Sequence, residues 1–332
     1  MTLMHERHDP VLQATSATLP VLHISSVPIE EEPRRFLIDR LWSSEAVGIL
    51  GGAPKSCKSW LGLDMALSVA SGSAALGHFP VEDPGLALVY LAEDALPLVR
   101  ERVESIARAR EIELLDTDLH VISVSSLRLD RREDLERLRA TLSELRPRLL
   151  LLDPLVRLHS IDENSASEIA RLLGALREMQ RDFHVAILLV HHIRKSASAH
   201  GGQALRGSGD LHAFGDSNLY LRRTRDGLVL TIEHRSAAAP EPVLLTLDDR
   251  DPERVHLRVS HTPAHAPEEQ GSRKLEHEIE RLLEEREPRT RRELREALAV
   301  KNERLGAALE SLEHEQAIER TASGWRRVRT SE

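Results

Sequence analysis

The sequence predicts an α/β protein: a mainly parallel sheet covered by helices, an antiparallel extension of that sheet, and a small domain after it. Three observations carry the prediction. From about Phe36, short apolar runs alternate with amphipathic helical stretches, the pattern of buried strands and covering helices. Between residues 217 and 260 the pattern becomes a series of short alternating strands. A composition break around residues 261–272 then precedes three apolar faces at helical spacing and a hairpin signal.

Residues 1–33 hold Pro10, Pro20 and Pro28 among scattered polar residues and read as an irregular arm. In the core, residues 34–260, the strands fall at Ala46–Leu50, Leu86–Leu91, Leu119–Val124, Leu149–Leu152 and Val185–Val190. The helices fall at Lys58–Ser71, Leu96–Arg110, Arg132–Leu145 and Ser165–Asp182. Residues 195–209, rich in Gly, Ser, Ala and His, read as a mobile loop. Asn218–Arg222, Leu228–His234, Val243–Leu247 and Val255–Val259 form the antiparallel strands, with Arg225-Asp226-Gly227 as a hairpin turn. Residues 261–272 read as a linker. In residues 273–332, Leu275, Ile279, Leu282 and Leu283 mark one helix, Leu294 and Leu298 a second, and Leu305, Leu309 and Leu312 a third, before a hairpin turning at Ser323-Gly324. Three helices and a hairpin in that order predict a winged helix-turn-helix.

The chain has 332 residues, a net charge of −9 and a single cysteine. That balance argues against coating nucleic acid by bulk electrostatics, while leaving room for a local basic groove. One cysteine excludes an intramolecular disulfide framework, and no apolar run is long enough to span a bilayer. The expectation is a soluble cytoplasmic protein with no membrane partner. Three Trp, two Tyr and four Phe require a core built from aliphatic side chains.

Gly52-Ala53-Pro54-Lys55-Ser56-Cys57-Lys58-Ser59 follows the first core strand and opens the first core helix. It is a phosphate-binding loop with Cys57 where the pattern has its second glycine. Backbone N–H groups of such a loop wrap phosphate, the lysine reaches the β/γ oxygens, and the hydroxyl holds Mg²⁺. Leu149–Leu152 ends in Asp153, an acid placed to reach that ion or its water. Leu88–Leu91 leads through Ala92 to Glu93 and Asp94. Glu93 is the better candidate for orienting and deprotonating an attacking water, whereas Asp94 could instead cap the following helix. Val190-His191-His192 ends a further strand; neighbouring strand residues face opposite ways, which suits a phosphate sensor better than a zinc site. Arg206 in Leu205-Arg206-Gly207-Ser208 sits among small residues, as an arginine inserted into a neighbour's phosphate site would.

Taken together, these segments resemble the RecA-like P-loop ATPases, most closely the RepA-type replicative hexameric helicases, over about residues 34–235. The resemblance implies ATP and Mg²⁺ as cofactors. Lys58 and Ser59 would bind phosphate and metal within a loop from Gly52 through Trp60, Glu93 would activate water, and Asp153 would support the metal. His192 would sense the γ-phosphate and Arg206 would act across a subunit interface. It further implies a homo-oligomer, a hexamer, that moves single-stranded DNA, with Arg194 and Lys195 as strand contacts. In the C-terminal unit, Lys301, Asn302 and Arg304 would lie near a recognition helix and Arg320, Arg326, Arg327 and Arg329 on the wing, giving duplex contacts to phosphate. The function expected is an ATP-hydrolysing, DNA-acting motor. The alternatives are an ATP-gated DNA-binding regulator or loader and, more remotely, a P-loop enzyme acting on a small molecule. Cys57 is expected to slow or weaken the nucleotide site, since a β-carbon stands where the backbone must approach phosphate.

Overall fold

The computed structural model describes residues 19, 21–27, 36–161, 166–192, 209–224, 227–260, 267–285, 288–298, 300, 305, 306, 308, 309, 312, 313, 317–321 and 323–328. The chain divides into two units, Met1–Arg35 and Phe36–Glu332. Within the first, Ile24–Ser26 forms a single 3₁₀ turn, and Leu19, Val21, Leu22 and Ile24 are exposed.

The second unit opens with a small antiparallel pair, β1 (Phe36–Ile38) and β2 (Trp42–Ser43). Then come β3 (Val47–Gly52), α1 (Lys58–Ser71), β4 (Ala87–Leu91), α2 (Leu96–Ala109), β5 (Leu119–Val121), α3 (Arg132–Leu145), β6 (Leu149–Asp153), α4 (Ala166–Phe183) and β7 (Ala186–His192). After them run α5 (Gly209–Phe214), β8 (Ser217–Arg223), β9 (Leu228–His234), β10 (Val243–Asp248) and β11 (His256–Val259). Among the described residues one nine-stranded sheet has the order β11-β10-β9-β8-β3-β7-β6-β4-β5. From β8 to β5 the pairs are parallel, and from β8 outward through β11 they are antiparallel. The expected fold class is the observed one.

The continuous apolar runs of β6 and β7 follow from burial on both faces. Alternate residues go to opposite cores: Leu149 and Leu151 join the one packed by α1 and α2, while Leu150 and Leu152 join the one packed by α3 and α4. β5 is shorter than its sequence suggests. It is the outermost strand, so Val121 is exposed and nothing beyond it prolongs the ladder. Gly48 lets β8 come close, since a β-carbon there would lie 1.7 Å from the Ser217 carbonyl oxygen. Arg225 and Asp226 of the expected turn lie outside the described residues, but β8 and β9 pair antiparallel across it.

Beyond the sheet lie α6 (Pro267–Glu285), α7 (Arg291–Leu298), helical residues between 305 and 313, and the hairpin β12 (Ile318–Thr321) with β13 (Gly324–Arg327). α6 begins inside the stretch read as linker; proline is tolerated in a helix's first turn. Thr290 and Glu293 form a reciprocal capping box at α7, with Thr290 N donating to Glu293 Oε2 at 2.7 Å and Glu293 N donating to Thr290 Oγ1 at 3.3 Å. Leu275, Ile279, Leu283, Leu294, Leu305, Leu309, Leu312 and Ile318 pack into a core of their own.

Candidate functional site

Because β3, β4, β6 and β7 run parallel, their carboxyl ends share one edge, with Gly52 in register with His192 and Leu91 with Asp153. Ligands of open α/β sheets bind outside such an edge. Here the edge bounds a cavity of about 350 Å³ lined by Lys55, Ser56, Cys57, Lys58, Ser59, Trp60, Glu93, Asp94, Arg102, Asp153, Pro154 and His192. Of the residues expected to bind nucleotide, Lys55 through Trp60 line it, and Gly52, Ala53 and Pro54 are not among the lining residues. His192 lines the cavity and its neighbour His191 does not, as alternation along a strand requires.

Lys58 is the first residue of α1 and is 4% exposed. Its ammonium donates to the carbonyl oxygens of Gly52 at 3.0 Å and Ala53 at 2.8 Å. Burial pulls its pKa down, opposed by Asp153, then the Cys57 thiol, then Glu93. Ser56 Oγ is buried and has no hydrogen-bond partner among the described residues. A buried cation and an unused hydroxyl at a helix N-terminus suit an anion such as phosphate.

Asp153, at the end of β6, is 5% exposed. Burial pushes its pKa up to about 6, against a hydrogen bond from Ser59 and the charge of Lys58, while Asp94 and Glu93 push it further up. Its Oδ2 is buried and takes no hydrogen bond from the described residues. A hydroxyl and a carboxylate with an unused oxygen are hard donors of the kind Mg²⁺ selects, so Ser59 and Asp153 fit that ion. Glu93 accepts from Arg157 Nε at 2.7 Å. Asp94 is not the cap of α2: Ala95 holds the N-cap position without a side-chain bond, and Asp94 pairs with Arg102 at 2.5 Å. Arg102 also stands over the Trp60 ring, 5.9 Å from its centroid.

Cys57 is in the left-handed region, at φ 64° and ψ 23°. A β-carbon there costs about 1–2 kcal/mol, which glycine avoids. Lys55, two residues earlier, is also left-handed at φ 61°. The loop thus keeps the shape that the missing glycine would have allowed. Burial raises the Cys57 thiol pKa, and Arg223 and then Lys58 oppose it.

Arg194, Lys195, Arg206, Lys301, Asn302 and Arg304 lie outside the described residues, as does Arg329. Arg326 and Arg327 are on β13, where Arg326 pairs with Glu319 at 2.6 Å and Arg327 pairs with Glu284; their charges are matched within the domain. Sequence reasoning missed Arg102, Arg157 and Arg223. Only Arg102, eight residues from Asp94 on the following helix, carried a local signal; the other two arrive from distant strands and turns.

Residues 13–198, over half of the chain, match the AAA domain family. The chain belongs to that family. The match takes in the phosphate loop, both acid-tipped strands and His192, and it ends before Arg206 and the C-terminal helices. No curated protein matches this AAA domain chain. Among solved structures, the RadB recombinase is similar with a TM-score of 0.47 and 15% identity, over 66% of this chain and 92% of that one. A DnaB-like replicative helicase, described with its interactions with primase, is similar with a TM-score of 0.49 and 14% identity, over 64% of this chain and 57% of that one.

Proposed function

We propose that this AAA domain protein binds and hydrolyses ATP and acts on DNA as a RecA-like motor of the RepA type. One observation carries the reading: a buried lysine, a hydroxyl paired with a buried aspartate, a strand-tip glutamate and a histidine line a single cavity on the carboxyl edge of one parallel sheet. Lys58 and the loop backbone hold the phosphates, and Ser59 and Asp153 would hold Mg²⁺, which when bound would supply positive charge against the phosphates. Glu93, kept in place by Arg157, orients water toward the terminal phosphate, and His192 reads whether that phosphate is there. Arg206 serves a neighbouring subunit in a hexameric ring, and Arg194 and Lys195 meet single-stranded DNA. Residues 273–332 act as a winged helix on duplex DNA. The backbone pairing of Arg289 with Trp325, which adds a third strand position to the hairpin, supports that last assignment.

The second reading is an ATP-gated regulator or loader that binds DNA with little unwinding. The left-handed cysteine in the loop and the paired arginines of β13 favour it. ATP hydrolysis measured with and without single-stranded DNA, beside mass in solution, separates the two. DNA-stimulated turnover with strand displacement supports the motor, and ATP-dependent footprinting without displacement supports the regulator. A monomer whose turnover ignores DNA overturns both. Loss of turnover in Arg206→Ala, restored on mixing with Lys58→Ala chains, is the result expected for action between subunits.

A further inference from the structure

Two non-glycine residues of the phosphate loop, Lys55 and Cys57, are left-handed, and the Cys57 side chain makes no capping hydrogen bond to α1. Lys58 anchors the earlier part of the loop, through Gly52 and Ala53. The later part is met from outside. Arg223 ends β8, the parallel neighbour of β3, whose Leu221 is in register with Gly52. Its Nη2 donates to the Lys55 carbonyl oxygen at 3.2 Å and lies 3.8 Å from Cys57 Sγ. One guanidinium nitrogen therefore bridges the two left-handed residues, and Arg223 is not among the residues that line the cavity.

We propose that Arg223 is a positioning residue: it clamps the phosphate loop in its binding shape and so compensates for the β-carbon at Cys57. A glycine at that position would reach the left-handed shape without a clamp. The inference rests on the nucleotide-site reading only for its effect on ATP. Its effect on the loop needs no nucleotide.

The test is a double-mutant cycle on the full chain with Arg223→Ala, Cys57→Gly and both changes together. Without nucleotide, Arg223→Ala is expected to lower Tm by about 1–2 °C in the parent, a shift scaled to a chain of this size, and by less than half of that in the Cys57→Gly chain. With Mg-ATP, Arg223→Ala is expected to raise KM several-fold while kcat changes by less than twofold, and this effect too shrinks when Cys57 is glycine. Equal Tm losses with and without Cys57, or a KM unmoved by Arg223→Ala in a parent that binds ATP, overturn the proposal. A parent that binds no ATP defeats the nucleotide reading, while the Tm cycle still decides the clamp.

Discussion

The two ends of α1 ask the backbone for the same thing and receive different residues. At the C-terminal end Gly72 turns left-handed at φ 73°, the usual device for ending a helix. At the N-terminal end Cys57 does so at φ 64° with a β-carbon. The C-terminal end is also closed electrostatically. Asp64, fully buried, accepts from Arg110 at 3.1 Å and from the Leu76 backbone N–H at 2.6 Å, and Arg110 goes on to Ser68, Ser73 and the Ala74 carbonyl. The N-terminal end is open. Among the described residues, Lys58 donates to loop carbonyls alone, and one oxygen of Asp153 has no hydrogen-bond partner. One end is completed by the chain itself, while the other has polar groups suited to a ligand, and local strain of that kind gathers at functional sites.

Breaking the completed end should have the largest effect. Arg110→Ala leaves Asp64 buried without its cation, and removing one partner of a buried pair costs about 3–5 kcal/mol. Urea unfolding should show that loss, and it should appear with or without ATP. The open end predicts the opposite pattern for Lys58→Ala. Turnover of ATP should fall about 10²–10³-fold, the scale of losing a charge-stabilising donor, while the unfolding midpoint should hold or rise, because burial disfavours the lysine's charge. A stability loss comparable to that of Arg110→Ala would make Lys58 a structural residue and remove the contrast.

Asp153 sharpens the same point through pH. Its folded pKa is raised from 3.8 to about 6, so the folded chain holds a proton that the unfolded chain has released. Stability is therefore fullest below about pH 4, falls as pH rises through 4 to 6, and is level above. A carboxyl displaced that far contributes about 3 kcal/mol at most. Asp153→Asn should flatten that part of the stability profile, and an unchanged profile would show that Asp153 titrates as an exposed carboxyl does.

Much of this contrast was legible in the sequence, and the reason for the rest is distance along the chain. Helical spacing delimited Lys58–Ser71 and Arg132–Leu145 to the residue, because one periodic face set both ends. Apolar runs tipped with Glu93, Asp153 and His192 were readable because a parallel sheet brings strand ends to one edge whatever lies between them. β5 was overextended because an edge strand reads like an inner one until its missing neighbour is known. The partners that matter most to the site, Arg157 for Glu93 and Arg223 for the loop, lie 64 residues from Glu93 and 168 residues from Lys55, and no local pattern marks either. Cys57 was visible as a departure from the motif. Its left-handed backbone, and the neighbouring one at Lys55, were not.

The smaller effects test the backbone itself. Gly72→Ala should cost about 1 kcal/mol, because alanine at a positive φ is strained. A β-carbon at this position would meet only ordinary contacts with Pro84, at 3.5 and 3.8 Å, so the loss would report conformation and not crowding. Nucleotide affinity should not change, since Gly72 is at the far end of the helix.

Cys57→Gly should give the smallest change in stability and the most informative one. Relief of left-handed strain favours the glycine chain by about 1–2 kcal/mol, and the greater freedom of glycine in the unfolded chain takes back about 0.5–1 kcal/mol. The net gain expected is therefore about 1 kcal/mol or less, read as a slightly higher unfolding midpoint. Removal of the β-carbon also lets the loop backbone approach phosphate, so ATP affinity and turnover should both rise. Equal affinity and turnover in the two chains would mean that the loop already holds its working shape with cysteine in place. The two ends of α1 would then differ in residue but not in consequence.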